Sequence, residues 1–135
     1  MRHEDAEYVK LRMGRAHDTL SEAEMLLGGC HLPGAVNRMY YACFYAVNAL
    51  LFSEGLSSSK HGGVISLFDR HWIRAGRLPA EMGKLYRQFF ELRQEGDYKD
   101  VVTFERSDVV EWLSQARSFV GQVADWLRVN QGITA

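Results

Sequence analysis

The sequence predicts an all-α fold, an antiparallel helical bundle of four long helices plus one shorter helix. Apolar residues recur at three- and four-residue steps wherever the chain is apolar, and no stretch alternates convincingly with a two-residue period. Only two prolines interrupt the 135 residues, and 47% of the residues are hydrophobic. This length and composition are typical of a globular domain, so we expect residues 1–135 to form a single domain.

The two N-terminal helices have the clearest patterns. The first is predicted over about 9–27, with an apolar residue every three or four positions, and a pair of glycines follows it. The second begins near Pro33, which suits a first helical turn, and ends at Gly55. Because apolar and aromatic residues surround most of its circumference, we expect this helix at the centre of the bundle.

The third and fourth helices are bounded by glycine and proline. The third is the shorter one and is predicted over about 64–75, after a polar loop that can cap it, with Gly76 as its end. The fourth begins at Pro79 and ends near Gly96. Apolar residues share one face of this fourth helix, as expected for a helix that packs against a core.

The fifth helix follows a predicted loop over 97–106. Ser107 is a good N-cap residue, and the apolar pattern then continues to about Val129. The connections between the predicted helices are about four to ten residues long, which favours antiparallel packing of consecutive helices.

Charge is balanced overall but uneven along the chain. Sixteen Lys and Arg against seventeen Asp and Glu give a formal net charge of −1, which argues against a protein that coats nucleic acid with its whole surface. Residues 60–93 carry seven cations and three acidic side chains, whereas residues 94–125 carry three and seven. We therefore expect a basic flank and an acidic flank, although solvated helix faces alone also produce such asymmetry.

Several classes of site have no support in the sequence. The chain lacks the glycine-rich phosphate loops, the H-E-x-x-H zinc motif and the G-x-S-x-G turn of serine hydrolases, so we expect no metal and no cofactor. Cys30 and Cys43 do not form a C-x-x-C pair. No apolar run approaches the roughly 20 residues of a membrane span, and the first residues lack a signal-peptide pattern, so we expect a cytoplasmic protein without membrane contact.

Two arginines lie among aromatic residues of the inner helices. Arg38 occurs in NRMYYACFYAVNALL, and Arg93 occurs in FFELRQEGDY. Arg93 and Asp97 are four residues apart, so they share a helix face and can pair. This pair is either a partly buried bridge that holds the fourth helix to its neighbours, or part of a groove in which the planar fork of Arg93 meets a phosphate.

Two further side chains are candidates for binding at helix ends. His61 follows three serines and a lysine near a predicted helix start, an arrangement that suits an anion and is also typical of an ordinary helix cap. Tyr98 follows Asp97 at a helix end, where it can form hydrogen bonds, stack on a base or be modified. Three arginines near the end of the third helix are interpreted as solvated cations: Arg70, Arg74 and Arg77.

Three segments in this order, NRMYYACFYAVNALL, SKHGGVISLFDRHWIRAG and ELRQEGDY, resemble the bacterial and archaeal branch of the HEPN domain family (higher eukaryotes and prokaryotes nucleotide-binding). The resemblance covers about residues 7–128. It implies an all-helical bundle of four or five helices that pairs as a homodimer. It also implies partnership with a minimal nucleotidyltransferase in toxin–antitoxin-like modules.

Many HEPN proteins resemble one another in an Arg that is followed a few residues later by a His at a helix end, and these proteins act as metal-independent ribonucleases. Arg93 matches that Arg, but no histidine follows it, so the resemblance leaves enzymatic activity open. His61 can replace the missing histidine from another helix, which would make Arg93 and His61 the catalytic residues. In some HEPN–nucleotidyltransferase pairs a nucleotide is transferred to a HEPN tyrosine, and Tyr98 is similar in position to that tyrosine.

The function favoured by these observations is a nucleotide- or RNA-binding HEPN module that dimerises and acts with a nucleotidyltransferase. One alternative is a toxin-type endoribonuclease, and another is a structural helical dimer without a ligand. The binding role is assigned to five residues: Arg38, His61, Arg93, Asp97 and Tyr98.

Overall fold

The predicted all-α architecture is confirmed by the computed structural model, which describes residues 3–98 and 103–134 of the chain, without the side chain of Tyr98. These residues contain helices and connecting loops and no strand. The helices are α1 (His3–Gly28), α2 (Leu32–Ser53), α3 (His61–Phe68), α4 (Ala80–Tyr98) and α5 (Arg106–Gln131).

The centre of the bundle is α2, as its apolar circumference predicts. This helix contacts each of the other four helices, and its residues Leu50 and Leu51 are fully buried. Alanines at 35, 42, 46 and 49 are also buried, and such small side chains let neighbouring helices approach closely. Because full burial of one leucine contributes about 1.5–3 kcal/mol, the helix that contacts every neighbour supplies much of the hydrophobic stabilisation.

The third helix differs from the prediction at both ends. It begins at His61, three residues before the predicted start, because the extended Lys60 already accepts the first helical hydrogen bond from the Val64 amide at 3.0 Å. It ends at Phe68 and continues as one π-helical turn, Asp69–Ile73. That wider turn brings a fully buried tryptophan, Trp72, into the core.

The predicted loop over 97–106 is too long. Helix α4 continues through Gly96 to Tyr98, and α5 begins one residue before Ser107 with Glu105 as its N-cap, so the assignment of Ser107 as the cap was wrong. The reason is tertiary packing: a Cβ at Gly96 would lie only 3.3 Å from the ring of Phe104. The buried Phe104 therefore packs directly on Gly96, and this contact positions the start of α5.

Two predicted glycine stops are confirmed. Gly55 follows α2 with φ 74°, and Gly76 follows the π-helical turn with φ 73°. Both values lie in the left-handed region, which glycine adopts without the steric cost that a Cβ imposes.

Candidate functional site

The fold places His61, the first residue of α3, and Arg93 of α4 against the same three aromatic rings. The His61 ring centroid lies 5.6 Å from that of Tyr40, 6.0 Å from that of Tyr41 and 6.1 Å from that of Phe90. The Arg93 Cζ atom lies 5.1, 5.7 and 5.4 Å from the centroids of the same rings. The two candidate residues, 32 positions apart in the sequence, therefore belong to one site.

A short hydrogen bond orients the imidazole. The Tyr40 hydroxyl oxygen and the His61 Nδ1 atom are 2.6 Å apart. Burial raises the pKa of Tyr40 to about 12, although the neighbouring Tyr86 hydroxyl and the positive charge of Arg93 act in the opposite direction. The phenol therefore keeps its proton at neutral pH, and it can donate to Nδ1 or accept from it. The helical spacing of Tyr40 predicts a core position, which its full burial confirms, but the spacing gives no sign of this hydrogen bond.

The charge state of His61 follows from its surroundings. Desolvation lowers the pKa of the half-buried imidazole, and the positive charge of Arg93 lowers it further. His61 is therefore neutral at pH 7, with one ring nitrogen that can donate and one that can accept a hydrogen bond. A neutral imidazole beside a fixed positive charge is suited to exchange a proton with a bound group.

The predicted pair of Arg93 with Asp97 is present. The Arg93 Nη1 atom and the Asp97 Oδ2 atom are 3.8 Å apart, with 7% of the Arg93 side chain and 31% of the Asp97 side chain exposed. The same Asp97 oxygen accepts a hydrogen bond from the Asn37 amide at 3.1 Å. The carboxylate is thus bound from both α2 and α4, and only an edge of the arginine is open to solvent.

Arg38 joins this site through Asn37. It donates from Nη2 and Nε to the Asn37 amide oxygen at 2.8 and 3.1 Å, and its Nη1 atom lies 3.4 Å from the Glu22 carboxylate. Because Asn37 also binds Asp97, a continuous polar network leads from α1 across α2 to Arg93 on α4. Arg38 was predicted from its aromatic neighbours in the sequence, whereas no spacing or motif points to Asn37.

The side chain of Tyr98 lies outside the described part of the chain. Its backbone is the last residue of α4, directly after Asp97. Of the five predicted binding residues, the described part therefore brings four together: Arg38, His61, Arg93 and Asp97.

The predicted basic flank is largely neutralised by ion pairs. Arg74 and Arg87 both lie within 3.5 Å of the Asp69 carboxylate. Arg77 is exposed, as a solvated cation would be, but it also pairs with Glu54. In the described residues of this flank, three cations have no carboxylate within 4 Å: Lys60, Arg70 and Lys84.

Residues 3–98 and 103–134 contain no group of three His, Cys, Asp or Glu side chains that could hold a metal ion. No helix in the same residues is both long and apolar enough to span a membrane. The two cysteines are not bonded to each other: Cys30 is exposed and Cys43 is buried.

Comparison with known proteins identifies the family. The sequence model of the HEPN domain matches residues 9–126, which is most of the chain. The chain belongs to the HEPN family. The resemblance noted in the sequence is thereby confirmed.

Relatives of this HEPN chain occur in bacteria and archaea. A Thermotoga maritima protein named "UPF0332 protein" is 44% identical over 109 residues, which cover 81% of this chain and 83% of that protein. A Methanocaldococcus jannaschii protein named "Putative toxin MJ0605" is 31% identical over 114 residues, which cover 84% of each chain. A second protein of that archaeon, "Putative toxin MJ0142", is 26% identical over 113 residues, 84% of this chain and 77% of that protein.

Proposed function

We propose that this HEPN chain is the nucleotide- or RNA-binding module of a cytoplasmic toxin–antitoxin-like system and acts with a nucleotidyltransferase. The observation that carries the proposal is the convergence of His61 and Arg93 on the rings of Tyr40, Tyr41 and Phe90. The toxin names of two relatives also support it.

Each group in this site has a role in binding a nucleotide. The exposed edge of Arg93 and the half-buried Arg38 supply positive charge and planar donors for a phosphate. The neutral His61 supplies one more donor or acceptor. Tyr41 and Phe90 are half-buried, so each ring offers a surface on which a base can stack.

A homodimer is part of this proposal, with two copies of the site facing one shared cleft. Two sites in one cleft would contact successive phosphates of one RNA chain. Sedimentation of the purified protein over a range of concentrations measures the oligomeric state. A monomer at all concentrations contradicts this part of the proposal.

The test of RNA binding compares two arginine variants. Arg93→Ala removes the guanidinium of the site, whereas Arg117→Ala removes a cation that pairs with Glu24 on another part of the surface. We expect Arg93→Ala to weaken binding of a short fluorescent RNA, measured by anisotropy, more than about tenfold, a loss of about 1.4 kcal/mol. Arg117→Ala is expected to change it less than about twofold. Equal affinities of the two variants contradict the proposed site.

A second function, metal-independent endoribonuclease, is favoured by one observation: a neutral His61 oriented by Tyr40 lies beside Arg93. In that reaction His61 accepts the proton of the RNA 2′-hydroxyl as the 2′-oxygen attacks phosphorus, and the proton passes to the leaving 5′-oxygen. The guanidinium of Arg93 stabilises the negative charge that develops at phosphorus. If the protein and its Arg93→Ala variant leave tRNA and mRNA equally intact, this function is excluded.

Modification by the partner is tested at Tyr98. Co-expression with a minimal nucleotidyltransferase, followed by mass spectrometry, is expected to show a nucleotide mass on the Tyr98 peptide and none in the Tyr98→Phe variant. An unshifted peptide contradicts the modification. A protein that neither binds nor cleaves RNA and is never modified is best explained as the remaining alternative, a structural helical dimer without a ligand.

A further inference from the structure

A continuous row of aromatic rings leads away from the candidate site along α2. The Phe44 ring lies 4.9 Å from the His61 ring, centroid to centroid. From Phe44 the distances are 5.8 Å to Tyr41 and 5.8 Å to Tyr45, and Tyr41 and Tyr45 are 6.1 Å apart. All these rings are half-buried, so each retains an edge or face toward solvent.

Arginines of α1 lie over rings along the same side of the bundle. The Arg15 Cζ atom is 5.2 Å from the centroid of the Tyr45 ring. Farther along, Arg12 lies 5.0 Å from the centroid of Tyr8, which itself packs against Phe52 at 4.2 Å. Two groups of rings and guanidinium cations therefore lie along the surface where α1 packs on α2.

The two arginines form no ion pair in the described part of the chain, where neither Arg12 nor Arg15 has a carboxylate within 4 Å. The Tyr45 hydroxyl and the more distant charges of Glu22 and Asp18 raise the pKa of Arg15, so its positive charge is only partly offset. Arg15 is also exposed. Positive charge beside half-buried aromatic rings suits a polyanion with stacking groups.

We propose that this arginine–aromatic strip, formed by Arg12, Arg15, Tyr41, Phe44 and Tyr45, binds single-stranded RNA that continues from the His61–Arg93 site. The proposal rests on the RNA-binding function proposed above. Bases stack on the half-buried rings, and phosphates meet the two guanidinium groups. A duplex hides its base faces, so the strip is expected to discriminate in favour of single strands.

The charge of the strip argues against a second copy of the chain as its occupant. In a two-fold symmetric dimer the same patch is present on both protomers. A strip that faced its own copy would enclose Arg12 and Arg15 of both protomers in one interface, and four cations without an ion pair are unfavourable there. The cores of homodimer interfaces are also depleted in charged residues. An RNA strand has the opposite charge and supplies the stacking groups.

The test uses two variants in the strip and two matched controls outside it. Arg15→Gln and Tyr45→Leu change an exposed cation and a half-buried ring of the strip. Arg117→Gln and Trp112→Leu change an exposed cation and a half-buried ring of α5. The probes are a fluorescent single-stranded RNA of about ten nucleotides and the duplex of the same sequence, read by anisotropy. Arg15→Gln changes an exposed side chain and leaves the core intact, so it remains informative if Tyr45→Leu does not fold.

We expect each strip variant to weaken single-strand binding at least about fivefold, because loss of one stacked base or phosphate contact is of that size. Duplex binding and the two controls are expected to change less than about twofold. Arg15→Gln is also expected to reduce the slope of log affinity against log salt by about one.

Three results would contradict the proposal that the strip binds single-stranded RNA. If Arg93→Ala weakens binding but Arg15→Gln and Tyr45→Leu do not, the strip is excluded and the proposed function stands. If the unmodified protein binds no RNA, both are excluded. If Tyr45→Leu dissociates a dimer without changing RNA affinity, the occupant is a second copy of the chain.

Discussion

Two arginines of this protein lie over aromatic rings beside a carboxylate, and they differ in what surrounds them. Arg77, between the π-helical turn and α4, lies 4.7 Å from the centroid of Trp72 and 4.8 Å from that of Trp126. Its two terminal nitrogens donate to the two oxygens of Glu54, and one of them also donates to the His71 carbonyl oxygen at 3.2 Å. The bidentate contact with Glu54 and the contacts with both tryptophan rings hold the loop that carries Arg77 against the bundle.

Arg93 has a looser carboxylate contact and a titratable neighbour. Its ion pair with Asp97 is 3.8 Å long, and the same three rings that it faces also face His61. Near Arg77, the His71 ring lies 6.5 Å from one of the two rings that the arginine faces, Trp72, and His71 binds the guanidinium through its backbone oxygen. Similar residue types thus form a structural contact in one place and a candidate site in the other, and the difference is an imidazole that shares all three rings with its arginine.

The largest expected effect compares the two arginines directly. Arg93→Ala creates a cavity at an almost buried position and leaves the negative charge of Asp97 without its Arg93 partner. We therefore expect a loss of about 2–3 kcal/mol in the free energy of unfolding. Arg77→Ala is expected to lose about 1–2 kcal/mol, because the Arg77 side chain is already 33% exposed and its removal empties less of the core. Urea unfolding measures both. Only Arg93→Ala is expected to weaken RNA binding. Equal weakening by Arg77→Ala would contradict the assignment of a structural role to Arg77 and a binding role to Arg93.

A smaller effect is expected at Asn37, which links Arg38 to Asp97. Asn37→Ala removes hydrogen bonds to both charged groups, and we expect unfolding to become easier by about 1 kcal/mol. Asn48→Ala is the matched control, since Asn48 lies on the same helix and donates only to the Phe44 carbonyl of its own helix. A loss at Asn37 no greater than at Asn48 would show that the network contributes nothing to stability.

The smallest effect concerns pH. The pKa of His61 is lowered in the folded protein by burial and by Arg93, so the unfolded chain binds the proton more tightly. The stability is therefore expected to fall as the pH drops below the unfolded value of about 6.5, and this contribution is absent in His61→Gln. Thermal unfolding at about pH 7 and about pH 5 measures it, with the exposed His17→Gln as control. Identical pH dependence in both variants contradicts the assignment.

The helices were predictable wherever local pattern and local chemistry agree. The apolar period of α1 and α2, the proline near the start of α2 and the left-handed glycines after it depend on residues close in sequence. The end of α4 and the start of α5 were not predictable, because Phe104 packs onto Gly96 from the following loop. The π-helical turn was not predictable either, since it buries Trp72 against Trp126, which is more than 50 positions away in the sequence.

Composition, helical period and segment order were enough to determine the all-α bundle and the HEPN family, since both rest on patterns along one chain. The pairing of Arg93 with Asp97 was also readable, because four residues make one helical turn. Only the tertiary structure shows that Arg77 holds its loop against the bundle, that Tyr40 orients His61, and that His61 lies beside Arg93. Those contacts join residues far apart in the sequence, and the distance between the elements that carry them is determined by side-chain packing that no local spacing records.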